Sequence, residues 1–288
     1  MIRLLQMNEK DLKDALEEQG KQEDCYQIPA LDEVVTDIVV GDLLQLGDHV
    51  LICGDSTHPE TYEKLLGGFK MDSLITDPPY NVDYSSKTEY MLKIGRGYIR
   101  EPIENDQIDD MRAFLYDFLT AVKPNLADYN SIYITFAEVT LDKLIYAFKL
   151  AGYKHAQTLI WNKNRIVFGR SDYPYKHEPI LYGWLNHHKF YGSHTSTVWD
   201  IPKPHQSKLH PTMKPVELMV RAIVNSTMPG MAVLDPFGGS GSTLIACEQT
   251  GRRCYMAEID PRYCQIIADR WVHYTGGVVI RQTQEAPQ

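Results

Sequence analysis

Two prolines between an acid and an aromatic residue form the stretch of this chain best suited to chemistry. Asp77, Pro78, Pro79 and Tyr80 follow residues 71–75, an apolar run that is typical of a buried strand. Because the prolines lack an N–H, the carbonyl groups of Asp77 and Pro78 cannot enter a helix and remain available as hydrogen-bond acceptors. Acceptors beside an aromatic surface suit a planar group that carries an amino group, as an extruded nucleobase does. The alternative is an ordinary turn that ends a strand, with Asp77 as a helix N-cap.

A glycine-rich turn later in the chain is the second pattern with chemical meaning. It follows a predicted strand at 231–234 and leads into a predicted helix at 242–250, so its glycines would let the backbone approach a ligand at the helix N-terminus. Glu258 lies in the next predicted strand, where nucleotide-binding folds place the acid that receives ribose hydroxyls. No Gly-Lys-Ser/Thr sequence follows, so the pattern is not a P-loop and favours an adenosine without a polyphosphate. A plain tight turn is the alternative for this segment, which consists of Asp235, Pro236, Phe237, Gly238, Gly239, Ser240, Gly241, Ser242 and Thr243.

Length and composition bound the possible classes of protein. The chain has 288 residues, of which 43% are hydrophobic, enough for one large α/β domain or two small ones. No run of 18 apolar residues predicts a membrane span, and charge appears before any signal-like apolar region develops, so we expect a cytoplasmic protein. The five cysteines form no CxxC or Cys/His metal pattern, which predicts reduced core thiols and no metal site. They are Cys25, Cys53, Cys247, Cys254 and Cys264.

The net charge of −9 is unevenly distributed along the chain. Residues 1–60 contain four Lys/Arg and fourteen Asp/Glu, so the rest of the chain is close to neutral. Residues 154–214 contain nine Lys/Arg and three Asp/Glu, together with seven of the ten histidines. Such a basic segment suits contacts with the phosphates of a nucleic acid, and a solvated surface is the alternative explanation.

Strands and helices alternate along most of the chain. Their spacing predicts a doubly wound, mostly parallel α/β sheet of the Rossmann-like type. No convincing helix separates the predicted strands 156–162 and 179–184, so these two should form an antiparallel hairpin at one edge. Further strands are predicted at 49–53, 71–76, 131–136, 231–234 and 253–260, and helices at 58–66, 111–122, 140–151, 216–226, 242–250 and 261–273.

The segments outside this alternation define the expected domain organisation. Residues 37–276 form the main domain, preceded by an acidic leader and linker at 1–36 and followed by a frayed tail at 277–288. Residues 81–110 are too long for a passive connection and alternate cations with tyrosines, as expected of a mobile loop that faces DNA. Residues 186–209 show neither the helical nor the strand period, so we expect an insert outside the sheet.

Together, the corner at 77–80, the glycine loop and the acidic strand end resemble the S-adenosylmethionine-dependent DNA amino-methyltransferases. These enzymes methylate the exocyclic N6 of adenine or N4 of cytosine. The corner precedes the loop, an order similar to that of the permuted β class, in which the target-recognition segment lies between the two motifs. Here that segment would be the insert at 186–209. The resemblance extends from about residue 37 to residue 274 and includes the segments 54–57, 161–163 and 210–215.

The resemblance implies that the corner binds the target base. An exocyclic amino nitrogen is a poor nucleophile because its lone pair is conjugated into the ring. Hydrogen bonds from this amino group to the Asp77 carboxylate and the Pro78 carbonyl would favour a pyramidal nitrogen, and Tyr80 would stack on the flipped base. The residues implied to face the base are Asp77, Pro78, Pro79 and Tyr80, and in the basic segment we predict DNA contacts by Lys163, Arg165, Lys189 and Lys203.

The resemblance also implies a site for S-adenosyl-L-methionine. Glu258 would bind the ribose and Asp55 the adenine amino group of the cofactor, while Thr212 and Lys214 would lie near its carboxylate. The loop against the cofactor would consist of Asp235, Phe237, Gly238, Gly239, Ser240, Gly241 and Thr243.

The expected activity is methylation of adenine N6 in double-stranded DNA. The choice of adenine is implied by the family, because an Asp at the first position of the corner resembles the adenine enzymes and a Ser there is commoner among the cytosine-N4 enzymes. The alternatives are a cytosine-N4 enzyme, an RNA or protein-amide methyltransferase, and a non-catalytic DNA-binding relative. The partner implied is double-stranded DNA and not a membrane, and the resemblance also allows a homodimer and a cognate restriction endonuclease.

Overall fold

The computed structural model of the protein describes residues 26–80, 110–166, 172–202 and 213–282. Within these ranges, ten strands form a single mixed sheet. The strands are β1 (Leu43–Leu46), β2 (His49–Cys53), β3 (Met71–Thr76), β4 (Leu126–Thr135), β5 (Lys154–Asn162), β6 (His177–Trp184), β7 (Val198–Asp200), β8 (Ala232–Asp235), β9 (Arg253–Glu258) and β10 (Val279–Gln282).

The order of the strands in the sheet is β10-β1-β2-β9-β8-β3-β4-β6-β5-β7. The five central strands, from β2 to β4 in this order, run parallel to one another. Strand β6 is antiparallel to both β4 and β5, and β1 is antiparallel to both β2 and β10. The predicted Rossmann-like class and the antiparallel hairpin of β5 and β6 are therefore confirmed. We call the two ends of the sheet the carboxyl end and the amino end, after the direction of the central parallel strands.

Helices cover both faces of the sheet. The apolar residues of α1, α2 and α3 join one core cluster, and those of α4, α5 and α6 join another on the opposite face. This arrangement buries both faces of the central strands, which explains their nearly continuous apolar sequences. The helices are α1 (Pro59–Leu66), α2 (Met111–Val122), α3 (Leu141–Leu150), α4 (Val216–Ser226), α5 (Ser242–Thr250) and α6 (Pro261–Thr275).

Local sequence signals set the beginnings of several helices. The Asp110 carboxylate accepts hydrogen bonds from the backbone N–H groups of Arg112 and Ala113, which caps α2. At α6, the Asp260 carboxylate accepts from the N–H of Arg262 at 2.8 Å, and a proline occupies the first turn. Such caps satisfy donors that have no partner inside the helix.

Two predictions about the periphery of the sheet are wrong. The segment 186–209 does not lie wholly outside the sheet, because β7 pairs in parallel with β5 and buries Trp199. The tail is not frayed at 279–282, because β10 pairs with β1 and Arg281 forms ion pairs with Asp37 and Asp42. Both strands are too short to show a clear period, so tertiary pairing decides their structure.

Part of the predicted leader lies against α6. Ile28 is buried, the Tyr26 and His273 rings are 5.4 Å apart, and the Thr36 hydroxyl donates to Gln265 at 3.0 Å. Residues 1–25 of the leader, residues 81–109 of the predicted loop and residues 283–288 lie outside the described ranges. The division of the chain into leader, domain and tail stays a prediction.

None of the helices in the described ranges is long and apolar enough to cross a bilayer. In those same ranges, no three His, Cys, Asp or Glu side chains are grouped in a way that could hold a metal ion. The four described cysteines are buried thiols.

Candidate active site

The sheet brings the two sequence motifs together. Strands β3 and β8 are neighbours, with Leu74 beside Leu234, so the proline corner and the glycine loop both begin at the carboxyl end of the sheet. The Thr76 hydroxyl donates a hydrogen bond of 2.7 Å to the Asp235 carboxylate, which ties the last residues of the two strands together. Adjacent parallel strands of an open α/β sheet form their ligand crevice at this end.

The Asp77 carboxylate lies at the centre of a hydrogen-bond network. Its Oδ1 accepts from the hydroxyl groups of Tyr80 and Thr135, and its Oδ2 accepts from the Lys214 ammonium at 2.6 Å. The side chain is 26% exposed, so it remains accessible to a ligand. Burial and the Asp77 charge raise the pKa of the Tyr80 phenol well above its ordinary value, which keeps the phenol a hydrogen-bond donor. The Tyr80 ring packs edge-on against Phe136 at 5.3 Å.

A row of alternating charges extends from Asp77 into the protein. Lys214 Nζ lies 3.5 Å from Glu178 Oε2, and Lys163 Nζ forms an ion pair with Glu178 Oε1. The Lys214 side chain is 7% exposed, and Lys163 is 3% exposed. Neither Thr135 nor Glu178 was predicted from the sequence. The antiparallel direction of β6, which the sequence did predict, brings the first residues of that strand to the carboxyl end and could have identified Glu178.

The glycine loop combines close packing with open space. The Gly238 N–H donates to the Ala257 carbonyl at 2.9 Å, and a Cβ at this position would lie 2.7 Å from the Met256 sulfur. Gly239 has a φ of +50°, and a Cβ there would have no protein atom within 4 Å. The first glycine is therefore required by packing, and the second leaves room for a ligand against the backbone.

Two acids flank this open space from neighbouring strands. The Glu258 carboxylate accepts from the N–H groups of Gly239 and Asp260 at 2.8 Å and 2.9 Å. Burial raises the pKa of Glu258 to about 7, although both hydrogen bonds favour the charged form. Asp55 follows β2, which pairs with β9, and the Gly54 N–H donates to the Glu258 carbonyl at 2.9 Å. The Asp55 carboxylate accepts from the N–H and hydroxyl of Thr57.

Asp235 holds the loop from inside. It is buried, and its carboxylate accepts from Thr76, from the Phe237 N–H at 3.1 Å and from Thr243, while burial raises its pKa to about 7. Its described contacts are therefore with the protein, which favours a positioning role over the direct cofactor contact that we predicted. Arg270, which was not predicted from the sequence, donates to the Ser240 carbonyl at 2.7 Å.

The loop and its neighbours fit an adenosine cofactor. The open face of Gly239 lies beside Glu258, whose carboxylate can accept from ribose hydroxyls. The Phe237 ring is partly exposed and is supported edge-on by Phe118 at 5.1 Å. Of the two residues predicted near the cofactor carboxylate, Lys214 contacts Asp77, and Thr212 lies outside the described residues.

The four predicted DNA contacts separate in space. Lys163 is buried against Glu178, so it cannot reach a phosphate, and that prediction is wrong. Lys189 lies in the segment after β6, which ends at Trp184, at the amino end of the sheet, and its ammonium lies 5.0 Å from the Tyr191 ring. This position, at the opposite end of the sheet from Asp77, does not favour the predicted contact with DNA bound at the corner. Arg165 is exposed beyond the end of β5, at the carboxyl end, and Lys203 lies outside the described residues.

Comparisons with known proteins agree with this geometry. The sequence profile of the N6/N4 methyltransferase family, described as DNA methylase, matches residues 71–269. The type II methyltransferase M2.DpnII of Streptococcus pneumoniae is 25% identical over 238 residues, which are 74% of this chain and 87% of that protein. The M1.HpyAVI complex with S-adenosyl-L-methionine has a TM-score of 0.59 at 21% identity and covers 76% of this chain and 97% of its own. The cytosine-N4-specific PvuII DNA methyltransferase has a TM-score of 0.56 at 16% identity, and the match covers 79% of this chain and 93% of that protein.

The family match covers more than half of the chain and favours a DNA-modifying enzyme over the RNA, protein-amide and non-catalytic alternatives. The methyl donor of this family is S-adenosyl-L-methionine, which the loop geometry fits. The similar proteins include a cytosine-N4 enzyme, so the family match leaves the target base open. This chain belongs to the N6/N4 family of S-adenosyl-L-methionine-dependent DNA methyltransferases.

Proposed function

We propose that this protein methylates the exocyclic N6 of an adenine that is flipped out of double-stranded DNA. The observation that carries the proposal is the position of Asp77, a partly exposed carboxylate at the end of β3, directly beside the loop after β8. An acceptor for an amino group and a site for a methyl donor thus share one crevice. The atom to be methylated is inaccessible within a stacked duplex, so the base must leave the helix.

Asp77 and Pro78 orient the amino group of the target base. The amino group donates to Asp77 Oδ2 and to the Pro78 carbonyl, and these bonds favour a pyramidal nitrogen with an available lone pair. When bound, S-adenosyl-L-methionine supplies an electrophilic methyl group. The methylated nitrogen then carries one surplus proton, and the Asp77 carboxylate can accept it. Holding both reactants in one orientation removes several kcal/mol of entropic barrier, of a total of about 7–11 available in favourable cases.

Tyr80 and Pro79 shape the surface that receives the base. The Tyr80 hydroxyl donates a hydrogen bond to Asp77, and the Tyr80 ring forms an edge-to-face pair with Phe136, so the ring orientation is fixed before the base arrives. Stacking on an aromatic ring offsets part of the few kcal/mol that unstacking costs. A rigid ring next to the carboxylate supports simultaneous stacking and hydrogen bonding by one base.

The cofactor is held by the loop and the acids around it. We assign the ribose hydroxyls to Glu258, the adenine amino group to Asp55 and the backbone contact to Gly239. Phe237, Gly238, Ser240, Gly241 and Thr243 form the rest of the loop. This assignment is supported by the open space at Gly239 and by the two carboxylates on adjacent strands.

We choose adenine over cytosine as the target base because of the identity of the first residue of the corner. An Asp at position 77 resembles the adenine enzymes, and a purine offers the Tyr80 ring a larger stacking surface. The test is to methylate DNA with the protein, digest it to nucleosides and identify the products by mass spectrometry. We expect N6-methyladenine. N4-methylcytosine without N6-methyladenine would overturn the choice of base while leaving the family and the cofactor unchanged.

Contacts with the DNA backbone and with other proteins are separate proposals. Arg165 is exposed at the carboxyl end and is our candidate for a phosphate contact. A homodimer and a cognate restriction endonuclease remain predictions from the family resemblance.

A further inference from the structure

Asp77 is already engaged by three side chains. Its Oδ1 accepts from Tyr80 and Thr135, and its Oδ2 accepts from Lys214 at 2.6 Å. A hydrogen bond from a neutral amino group gains strength from the negative charge of a carboxylate. An ammonium in direct contact neutralises that charge, so Asp77 is a weak acceptor for a base as long as Lys214 stays in place.

Lys214 has a second carboxylate within reach. Its Nζ lies 3.5 Å from Glu178 Oε2, which is too long for a hydrogen bond, and a movement of about 1 Å would make one. The Lys214 side chain is 7% exposed. Moving a buried ammonium away from one anion is costly unless another anion receives it, and Glu178 is such an anion.

We infer that Lys214 moves from Asp77 towards Glu178 when the amino group of the target base binds, and that Glu178 is a positioning residue for the reaction. The inference rests on the proposed role of Asp77 as the acceptor of that amino group. No bond is made or broken in this step. The ammonium changes its nearest carboxylate, and Asp77 regains the charge with which it holds and activates the base.

Lys163 sets how strongly Glu178 attracts Lys214. It is buried and forms an ion pair with the other oxygen of Glu178, so it shares the negative charge of that carboxylate. Removing Lys163 should strengthen the attraction between Glu178 and Lys214 and release Asp77. Removing the charge of Glu178 should leave Lys214 on Asp77. The two members of one ion pair therefore have opposite predicted effects on binding of the base.

The test compares Glu178→Gln with Lys163→Met. The substrate is whole-genome-amplified DNA, which carries every short sequence without methyl groups, and tritium transfer from S-adenosyl-L-methionine gives KM and kcat. We expect Glu178→Gln to raise the KM for DNA about tenfold and Lys163→Met to lower it, with the dissociation constant of the cofactor unchanged in both. Glu138→Gln is the matched control, since Glu138 is exposed and pairs with His177 instead, and its KM should equal that of the wild type.

A purely structural role of the ion pair would raise the KM in both variants alike, and this result would overturn the inference. Glu178→Asp, which retains the charge on a shorter side chain, should raise the KM less than Glu178→Gln and serves if that variant does not fold. In a Lys214→Met background with residual activity, Glu178→Gln should have no further effect, and an undiminished effect would also overturn the inference. Asp77→Asn tests the proposed function separately, because wild-type turnover by that variant would remove Asp77 from the reaction whatever Glu178 does.

Discussion

The two ends of the sheet carry polar side chains in contrasting settings. At the carboxyl end, Lys214 is buried and Asp77 is 26% exposed, and the two pair with each other, with Thr135 of β4 and with Glu178 of β6. At the amino end, His187 is 61% exposed and lies 3.3 Å from the equally exposed Asp128, while the Lys189 ammonium lies over the Tyr191 ring. Both clusters contain charged residues, but only the cluster around Asp77 fixes them in position. The buried His49, also at the amino end, is held separately by Glu248 and by the Cys254 N–H.

Desolvation explains why this difference matters. Burying a charge is costly, so a buried network is retained where several groups must hold one geometry, whereas an exposed pair contributes at most about 1 kcal/mol. The exposed cluster around Asp128 can therefore lose a charge with little consequence, whereas the cluster around Asp77 cannot. Variants at matched positions of the two clusters test this difference.

The largest contrast is expected between the carboxylates of Asp77 and Asp128. Asp77→Ala should lower methyl transfer at least about a hundredfold, because the acceptor of the target amino group is lost. Its affinity for the cofactor should change by no more than a few-fold. Asp128→Ala should retain wild-type transfer. Tritium transfer together with calorimetry measures both quantities, and equal activities of the two variants would contradict a special role of the carboxyl end.

A second contrast uses two glycines with the same backbone strain. Gly239 in the loop and Gly251 after α5 both have positive φ, and a Cβ at either position would meet no protein atom within 4 Å. A β-branched side chain costs both about 1–2 kcal/mol of stability. Gly239→Val should also weaken cofactor binding at least about tenfold by filling the space against the backbone.

Gly251→Val is the control for that variant, since it lies at the amino end of the sheet. Calorimetric titration with S-adenosyl-L-methionine and a thermal melt separate affinity from stability. Unchanged cofactor affinity in a folded Gly239→Val protein would remove this loop from the cofactor site.

The pH dependence of cofactor binding should identify Glu258. Burial raises the pKa of Glu258 to about 7, so below this pH the group is largely protonated and loses acceptor capacity for the ribose hydroxyls. Affinity for S-adenosyl-L-methionine should therefore rise up to about tenfold between about pH 6 and about pH 8. Burial also raises the pKa of Asp235 to about 7, so the comparison needs Glu258→Gln, which should bind weakly and with a flatter pH profile. An unchanged profile in that variant would assign the titration to another group.

The same raised pKa values have a consequence for stability. Neutral Glu258 and Asp235 are favoured by the fold, so the unliganded protein should lose stability as the pH rises through about 7. Thermal melts of the wild type without cofactor, from about pH 5 to about pH 8, provide the measurement. A melting temperature that rises with pH would contradict the buried setting of these acids.

The smallest contrast concerns the basic side chains. Arg165→Gln should reduce the slope of the logarithm of DNA affinity against the logarithm of salt concentration by about one, as expected for one lost phosphate contact. Lys163→Gln and Lys189→Gln should leave this slope unchanged, because one ammonium is buried and the other lies at the amino end. A lower slope for Lys189→Gln would indicate that DNA reaches the amino end.

Periodicity and motif order were sufficient to predict the architecture. The helices at 216–226 and 242–250 have the predicted bounds. Apolar spacing after Pro215 is the local signal for the first, and Gly241 and Gly251 flank the second. Strands β7 and β10 were missed because three or four residues at a sheet edge carry almost no periodic signal. Their pairing depends on partners that are distant in the sequence.

The site was predicted only in part for a related reason. The corner and the loop are contiguous in sequence, and their residues could be named before the structure. Glu178 and Thr135 come from other strands, and their contribution to Asp77 depends on strand order and direction. The charge of the basic segment misled the prediction of DNA contacts, because a count of charges cannot distinguish a buried lysine from an exposed arginine. Lys163 is buried and paired with Glu178, whereas Arg165 is exposed to solvent.

Hydrogen–deuterium exchange upon DNA binding tests the contrast between the two ends most directly. The protein would be measured alone and with whole-genome-amplified DNA plus an analogue of S-adenosyl-L-methionine that cannot transfer a methyl group. We predict slower exchange in peptides that cover residues 75–80 and 134–137, at the carboxyl end, and unchanged exchange at residues 186–192, at the amino end. Protection of 186–192 with no change around Asp77 would contradict the assignment of the carboxyl end as the site of methyl transfer.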